Sequence, residues 1–203
     1  MSTSSRIRSG MTLEEFLRSP RIDDKPYLEY IDGRVEVKVS PKALHSRLEL
    51  RICDGLNLVA EPSKLGLAFP ELRCTFSGRS IIPDVVFLLD EHILVDERGR
   101  YIDEIFIPPD IQVEIRSPKQ SVEKPKEKLE HAVNNGCPLG WFLDPYQETI
   151  DVYRPGRAPE RLAADGFLDG GPVLPGFRVA VAEVFGWLIY RKPDPIGPGA
   201  DPA

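Results

Sequence analysis

The sequence predicts one α/β domain, a central mixed β-sheet flanked by α-helices, and three features carry that reading. Residues 81–89 are apolar almost throughout, as a strand covered on both faces is, and 111–115 read as a further strand. Leu44, Leu48, Ile52, Leu56 and Val59 recur at helical spacing, which predicts an amphipathic helix of about five turns. The chain has 203 residues, 41% hydrophobic and 29% charged, enough for one sizeable core and too few for two ordinary domains. Residues 11–191 are therefore expected to form the domain, with 1–10 a disordered start. Residues 192–203, rich in Pro, Gly and Asp without an apolar pattern, are expected to be a disordered tail.

Thr12 followed by Glu15 is a capping-box pattern and predicts a short helix over 12–18. Apolar positions alternate on both sides of Asp32-Gly33 in YLEYIDGRVEVKVS, a hairpin signal. Ser40-Pro41 opens the long helix. Residues 65–76 and 81–89 read as strands on either side of Ser77-Gly78, and the second should be central. Residues 90–109 are charged and end in Pro108-Pro109, a long excursion before the strand at 111–115 that Ser117-Pro118 stops. A charged helix follows over 121–135, with Pro125 in its first turn and Gly136 after its end. WFLDP and TIDVYRP predict two strands, and VLPGFRVAVAEVFGWLIY a last strand and a short helix.

Composition excludes several classes. No apolar stretch approaches the ~20 residues a membrane-spanning helix needs, and no apolar run follows MSTSSRIRSG as in a signal peptide, so the expected location is cytoplasmic with no membrane partner. Cys53, Cys74 and Cys137 are widely scattered, without a C-x-x-C pair, and read as reduced core residues. A net charge of −6 argues against a protein that coats nucleic acid, though not against one with a local basic groove.

The chemistry gathers around two acids. Asp84 follows Pro83 near the start of one buried strand and Glu114 sits near the end of another, where a carboxylate is costly unless paired. A shared divalent cation would pair both. Mg²⁺ (or Mn²⁺) suits two carboxylates, a main-chain carbonyl such as that of Ile115, and water. A lysine beside the ion can orient water and face charge developing on phosphorus, and Lys128 on the following helix is the choice, with Lys126 and Lys124 as alternatives.

IPDVVF, then PPDIQVEIRSP, then K-x-x-x-A and NNGCPLGWFLDP resemble the Uma-type restriction endonuclease family of the PD-(D/E)XK nuclease superfamily. MTLEEFL, YLEYIDG, SPKALHSRL and VLPGF match that family's order as well, so the resemblance covers roughly residues 11–187. It implies a restriction-endonuclease-like core, metal held by Asp84 and Glu114, phosphodiester hydrolysis on DNA, and Glu29 as a further acid facing the cleft. The superfamily's Glu-x-Lys is here Glu114-Ile115-Arg116, a departure; aligning Ser117-Pro118 and Gly136 with the family places the lysine at Lys128. Cutting a duplex would favour a homodimer.

Plainer readings stand beside these. Asp84 fits a strand-entry turn, Glu114 a salt bridge to Arg116 or Arg73, Glu29 the exposed side of a strand, and Lys128 a solvated helix face. His45 fits either a phosphate contact or the core edge. Trp141 and Phe142 read as core and not as a base-stacking platform. A nuclease fold that binds or assembles without cutting is the rival from another class, and Arg116 at the usual lysine position favours it. A glycoside hydrolase using Glu29 and Glu114 would need a metal-free, sugar-sized cleft.

Overall fold

In the computed structural model, which describes residues 8–22, 24–118 and 121–190, the strands collect into two principal sheets that exchange the chain at Pro83. The smaller sheet holds β1 (Arg8–Ser9), β2 (Leu28–Ile31), β3 (Arg34–Val37), β5 (Cys74–Phe76) and β6 (Arg79–Ile81) in the order β1-β3-β2-β6-β5. The larger holds β4 (Gly66–Pro70), β7 (Val85–Leu89), β8 (Ile111–Ile115), β9 (Leu139–Asp144), β10 (Thr149–Tyr153) and β11 (Glu160–Arg161) in the order β11-β10-β9-β8-β7-β4. Only β8 and β9 run parallel in it, so the six-stranded sheet is mixed. A separate pair, β12 (Phe167–Asp169) and β13 (Arg178–Ala180), leads into the short helix α4 (Val181–Gly186).

Two helices cover the large sheet from opposite faces. In α2 (Ala43–Ser63), Leu48, Ile52 and Leu56 pack on the odd-numbered residues of β7, β8 and β9, including Val85, Val113 and Trp141. In α3 (Glu123–Asn134), Leu129 and Val133 pack on Phe142 and Tyr153, from the other face. Strand alternation makes the division, since successive side chains point to opposite sides. Both faces are thus apolar, which explains the uninterrupted hydrophobic runs. Phe16 of α1 (Leu13–Leu17) closes the smaller sheet against Tyr30 and Val35, and Thr12 and Glu15 form the expected capping box.

The expected strands at 65–76 and 81–89 are each divided. Glu71 adopts φ 47° between β4 and β5, and Ile82-Pro83-Asp84 lies between β6 and β7. Proline has no N–H to give a ladder, so pairing stops there and resumes in the other sheet. The turns read from sequence lie at Asp32-Gly33 (φ 49° and 78°) and Ser77-Gly78 (φ 45° and 81°), the paired positive values of a tight hairpin turn. The latter joins β5 to β6.

Residues 1–7 and 191–203 lie outside the described residues, and so do the expected tail and most of the expected disordered start; Arg8 and Ser9 pair with β3. The excursion at 90–109 holds a 3₁₀ turn at Asp90–His92 and two isolated bridges. All three cysteines are buried with free thiols. Among the described residues no helix is long and apolar enough to cross a membrane.

Gly140 lets α3 settle on β9. A Cβ there would lie 2.9 Å from Leu129 Cδ2 and 3.3 Å from Tyr153 Cβ. Gly140→Val is expected to push α3 outward, and with it Lys128 beside Leu129, at a cost of about 1–3 kcal/mol. An unchanged melting temperature would contradict that packing.

Candidate active site

Register brings the first two residues together. Val85 pairs with Val113 across antiparallel β7 and β8, so one further step sets Asp84 opposite Glu114. Residues directly opposite share a face, with Cβ atoms about 4.5–5.5 Å apart. Asp84 N–H continues the ladder to the Val113 carbonyl (3.1 Å), and its Oδ2 accepts from Ile115 N–H (2.7 Å). The β2–β3 hairpin supplies Glu29, whose Oε1 accepts from Ile82 N–H (2.8 Å). Lys128, on α3, reaches back between Glu114 Oε2 and Glu29 Oε1, both 2.9 Å away.

These residues line one cavity of about 60 Å³, together with Lys38, His45 and Ile115. Asp84, Glu114, Glu29 and Lys128 are 4, 3, 6 and 7% exposed, so these charges are compensated by one another and not by water. Glu29 is therefore not the exposed residue of an alternating strand, and Lys128 does not lie on a solvated helix face. Lys124 and Lys126 do turn elsewhere: Lys124, half exposed at the rim, bonds Glu36 (2.6 Å), and Lys126 bonds Asp151 (2.9 Å). Arg116 turns to Asp144 (2.7 Å) and lies over the Tyr146 ring, while Glu114 takes Lys128 and Gln112 as partners. Trp141 and Phe142 are core.

His45 belongs to the cavity. In the first turn of α2, its Nε2 is 3.3 Å from Asp84 Oδ1 and 3.8 Å from Glu49 Oε2, and its Nδ1 is 3.1 Å from Ser117 Oγ. The residue that sequence reasoning missed is Lys38, just past β3. Its Nζ bonds the Ile82 carbonyl (2.9 Å) and Asp84 Oδ1 (3.0 Å) and lies 3.4 Å from Glu71 Oε1. A signal existed. The two-residue turn sets Glu29 opposite Glu36, like charges facing each other, which is unfavourable unless cations share that face.

Burial alone would raise the Asp84 carboxyl, but Lys38, His45 and Lys128 overcome it and hold it well below the usual range. Burial likewise opposes the charge on His45 and on Lys38, yet Asp84 leads the interactions that raise both. Burial pushes Glu114 up to about 8; Lys128 and Lys38 pull against it, while Asp84 and Glu29 add to it. Glu49 is pushed up to about 7 by burial and by Asp84.

A pH dependence follows for the metal-free protein. Glu114 holds its proton to about 8 in the folded chain against an ordinary 4.5, so across that window only the folded state carries it. The associated stability is complete below the lower value and lost as pH rises through the upper one. Glu49 acts in the same direction and Asp84 in the opposite one, below its ordinary 3.8. In chelator, the urea midpoint is expected to fall between about pH 5 and pH 9, and to fall less in Glu114→Gln. A flat profile in the wild type would remove this account of Glu114.

The mixed sheet flanked by helices is a restriction-endonuclease-like core, in which Asp84 lies before one strand, Glu114 near the end of its neighbour, and Lys128 bonds Glu114 and Glu29. The family model described as "Uma2: Putative restriction endonuclease" matches residues 13–182, and the chain belongs to that family. A crystal structure from Anabaena variabilis, described as a putative nuclease belonging to DUF820, is 32% identical with a TM-score of 0.84, covering 89% of this chain and all of its own. A cryoEM structure of a DrdV–DNA complex aligns over 74% of this chain and 14% of its own, at 14% identity and a TM-score of 0.37, too slight a likeness to argue from. No curated protein matches.

Proposed function

We propose that this chain is a divalent-metal-dependent endonuclease that hydrolyses phosphodiester bonds in DNA, working in the cytoplasm as a homodimer. The observation that carries the proposal is the buried meeting of Asp84, Glu114, Glu29 and Lys128 on one cavity. Among the described residues no three His, Cys, Asp or Glu side chains are grouped to hold an ion unaided. The donors nonetheless suit Mg²⁺ or Mn²⁺, which take hard oxygens and keep several waters. Asp84 and Glu114 would hold the ion with the Ile115 carbonyl, which alternation turns to the same side of β8 as the N–H bonded to Asp84. The raised Glu114 carboxyl is consistent with that fit: burial is the main cause, Asp84 and Glu29 add to it, and a cation bound there would offset both.

Bound there, such an ion would supply Lewis-acid polarisation of a phosphate oxygen. Lys128, fixed by Glu29 and Glu114, can orient a water and face charge gathering on phosphorus. Glu29 positions Lys128 and so acts through it. His45, held between Asp84 and Ser117, keeps the Asp84 carboxylate turned into the cavity.

Calorimetric titration of Mn²⁺ into the wild type and Asp84→Ala, followed by plasmid nicking, tests the reading. The wild type should bind and nick, and the variant should do neither. Equal binding in both would remove Asp84 from the metal site. Binding by the wild type without nicking would favour a module that keeps the fold and does not cut.

A further inference from the structure

We infer that Lys38 is a built-in cation standing where a second metal ion would lie, so that the site takes a single divalent ion between Asp84 and Glu114. The inference rests on the reading that Asp84 holds metal. Lys38 Nζ has three oxygens around it: it donates to the Ile82 carbonyl at 2.9 Å and is ion-paired with Asp84 Oδ1 at 3.0 Å and Glu71 Oε1 at 3.4 Å. With these partners and a side chain 8% exposed, Lys38 is a fixed counter-ion and not a free phosphate contact.

The same oxygens would form a cation site were the ammonium absent. A carboxylate from Asp84, a carboxylate from Glu71 and a main-chain carbonyl are hard donors, and closing in by roughly 0.8–1.4 Å would bring them to the range of a small divalent ion. Two-metal nucleases place their ions about 3.5–4 Å apart, often on a shared carboxylate. Asp84 is divided in that manner. Its Oδ2 turns to β8, where Ile115 N–H meets it, while its Oδ1 faces Lys38 and His45. A second ion on Oδ1 would have to displace Lys38, whose backbone is pinned by the bond from its N–H to the Tyr27 carbonyl (2.8 Å).

The test counts ions. Mn²⁺ bound per chain is measured on the full protein by calorimetry and by the resonance signal of free Mn²⁺, in the wild type, Lys38→Met, Lys38→Arg and the double variant Lys38→Met/Glu71→Gln. One ion is expected in the wild type and in Lys38→Arg, two in Lys38→Met, and one again in the double variant. Two ions in the wild type, or one in Lys38→Met with unchanged affinity, would overturn the inference. The wild-type count can overturn it even if Lys38→Met fails to fold, and Lys38→Gln offers a polar replacement of similar length. Failure of the underlying reading shows differently: Asp84→Ala would bind as many ions as the wild type.

Discussion

Lys128→Met is expected to reduce nicking by about 10²–10³-fold, because it removes the cation that faces the developing charge while leaving the carboxylates in place. Stability should fall as well. Lys128 is shared by Glu29 and Glu114, each 2.9 Å away, and the methionine fills its space while leaving two buried acids without their cation. Breaking a buried pair costs about 3–5 kcal/mol. The lower end is expected here, since Glu114, pushed up to about 8, already carries its proton at neutral pH and stays uncharged without Lys128. For a domain of this size, ~3 kcal/mol corresponds to roughly 6–12 °C in melting temperature. Lys124→Met, at the rim with its amine on Glu36, should move stability by no more than about 1 kcal/mol. Equal loss of activity in both variants, or none in Lys128→Met, would transfer the role to another lysine.

The second large effect is expected at Asp84. Alanine there leaves the Lys38 ammonium, the His45 ring and the Ile115 N–H around an emptied position, three partners that otherwise converge on one carboxylate. Removing one member of a buried charged group costs about 3–5 kcal/mol. Asp84→Asn retains the shape and one acceptor oxygen, and should recover part of the stability with none of the ion binding. That contrast separates the two duties of Asp84: joining the sheets, which an amide can partly perform, and holding a cation, which it cannot. If Asp84→Asn bound Mn²⁺ as tightly as the wild type, the carboxylate would not be its ligand.

Much of this architecture was legible in one dimension. The strands β7 and β8 follow from their apolar runs, and the long helix follows from its 3.6-residue spacing. Less legible was the division of the run at 81–89. Hydrophobicity does not change across Ile82-Pro83, yet the chain changes sheets there, and only the missing proline N–H hinted at it. Lys38 was obscured for a related reason, since a charged residue on an alternating strand reads as solvated unless one knows what lies above it, and for His45 the sequence left a phosphate contact and the core edge both open.

The order of elements and the burial of the central strand were therefore determined by the sequence alone, because local periodicity dictates them, whereas the register that sets Asp84 opposite Glu114 belongs to the folded sheet. The tertiary structure decided which lysine of α3 turns inward, that Glu29 is buried, and that Lys38 and His45 share a carboxylate oxygen. Those outcomes depend on the small sheet lying against the end of the large one, where residues far apart along the chain exchange water for one another's charge. No spacing along the chain encodes that exchange, because its energy belongs to the enclosed cavity and not to any segment that lines it.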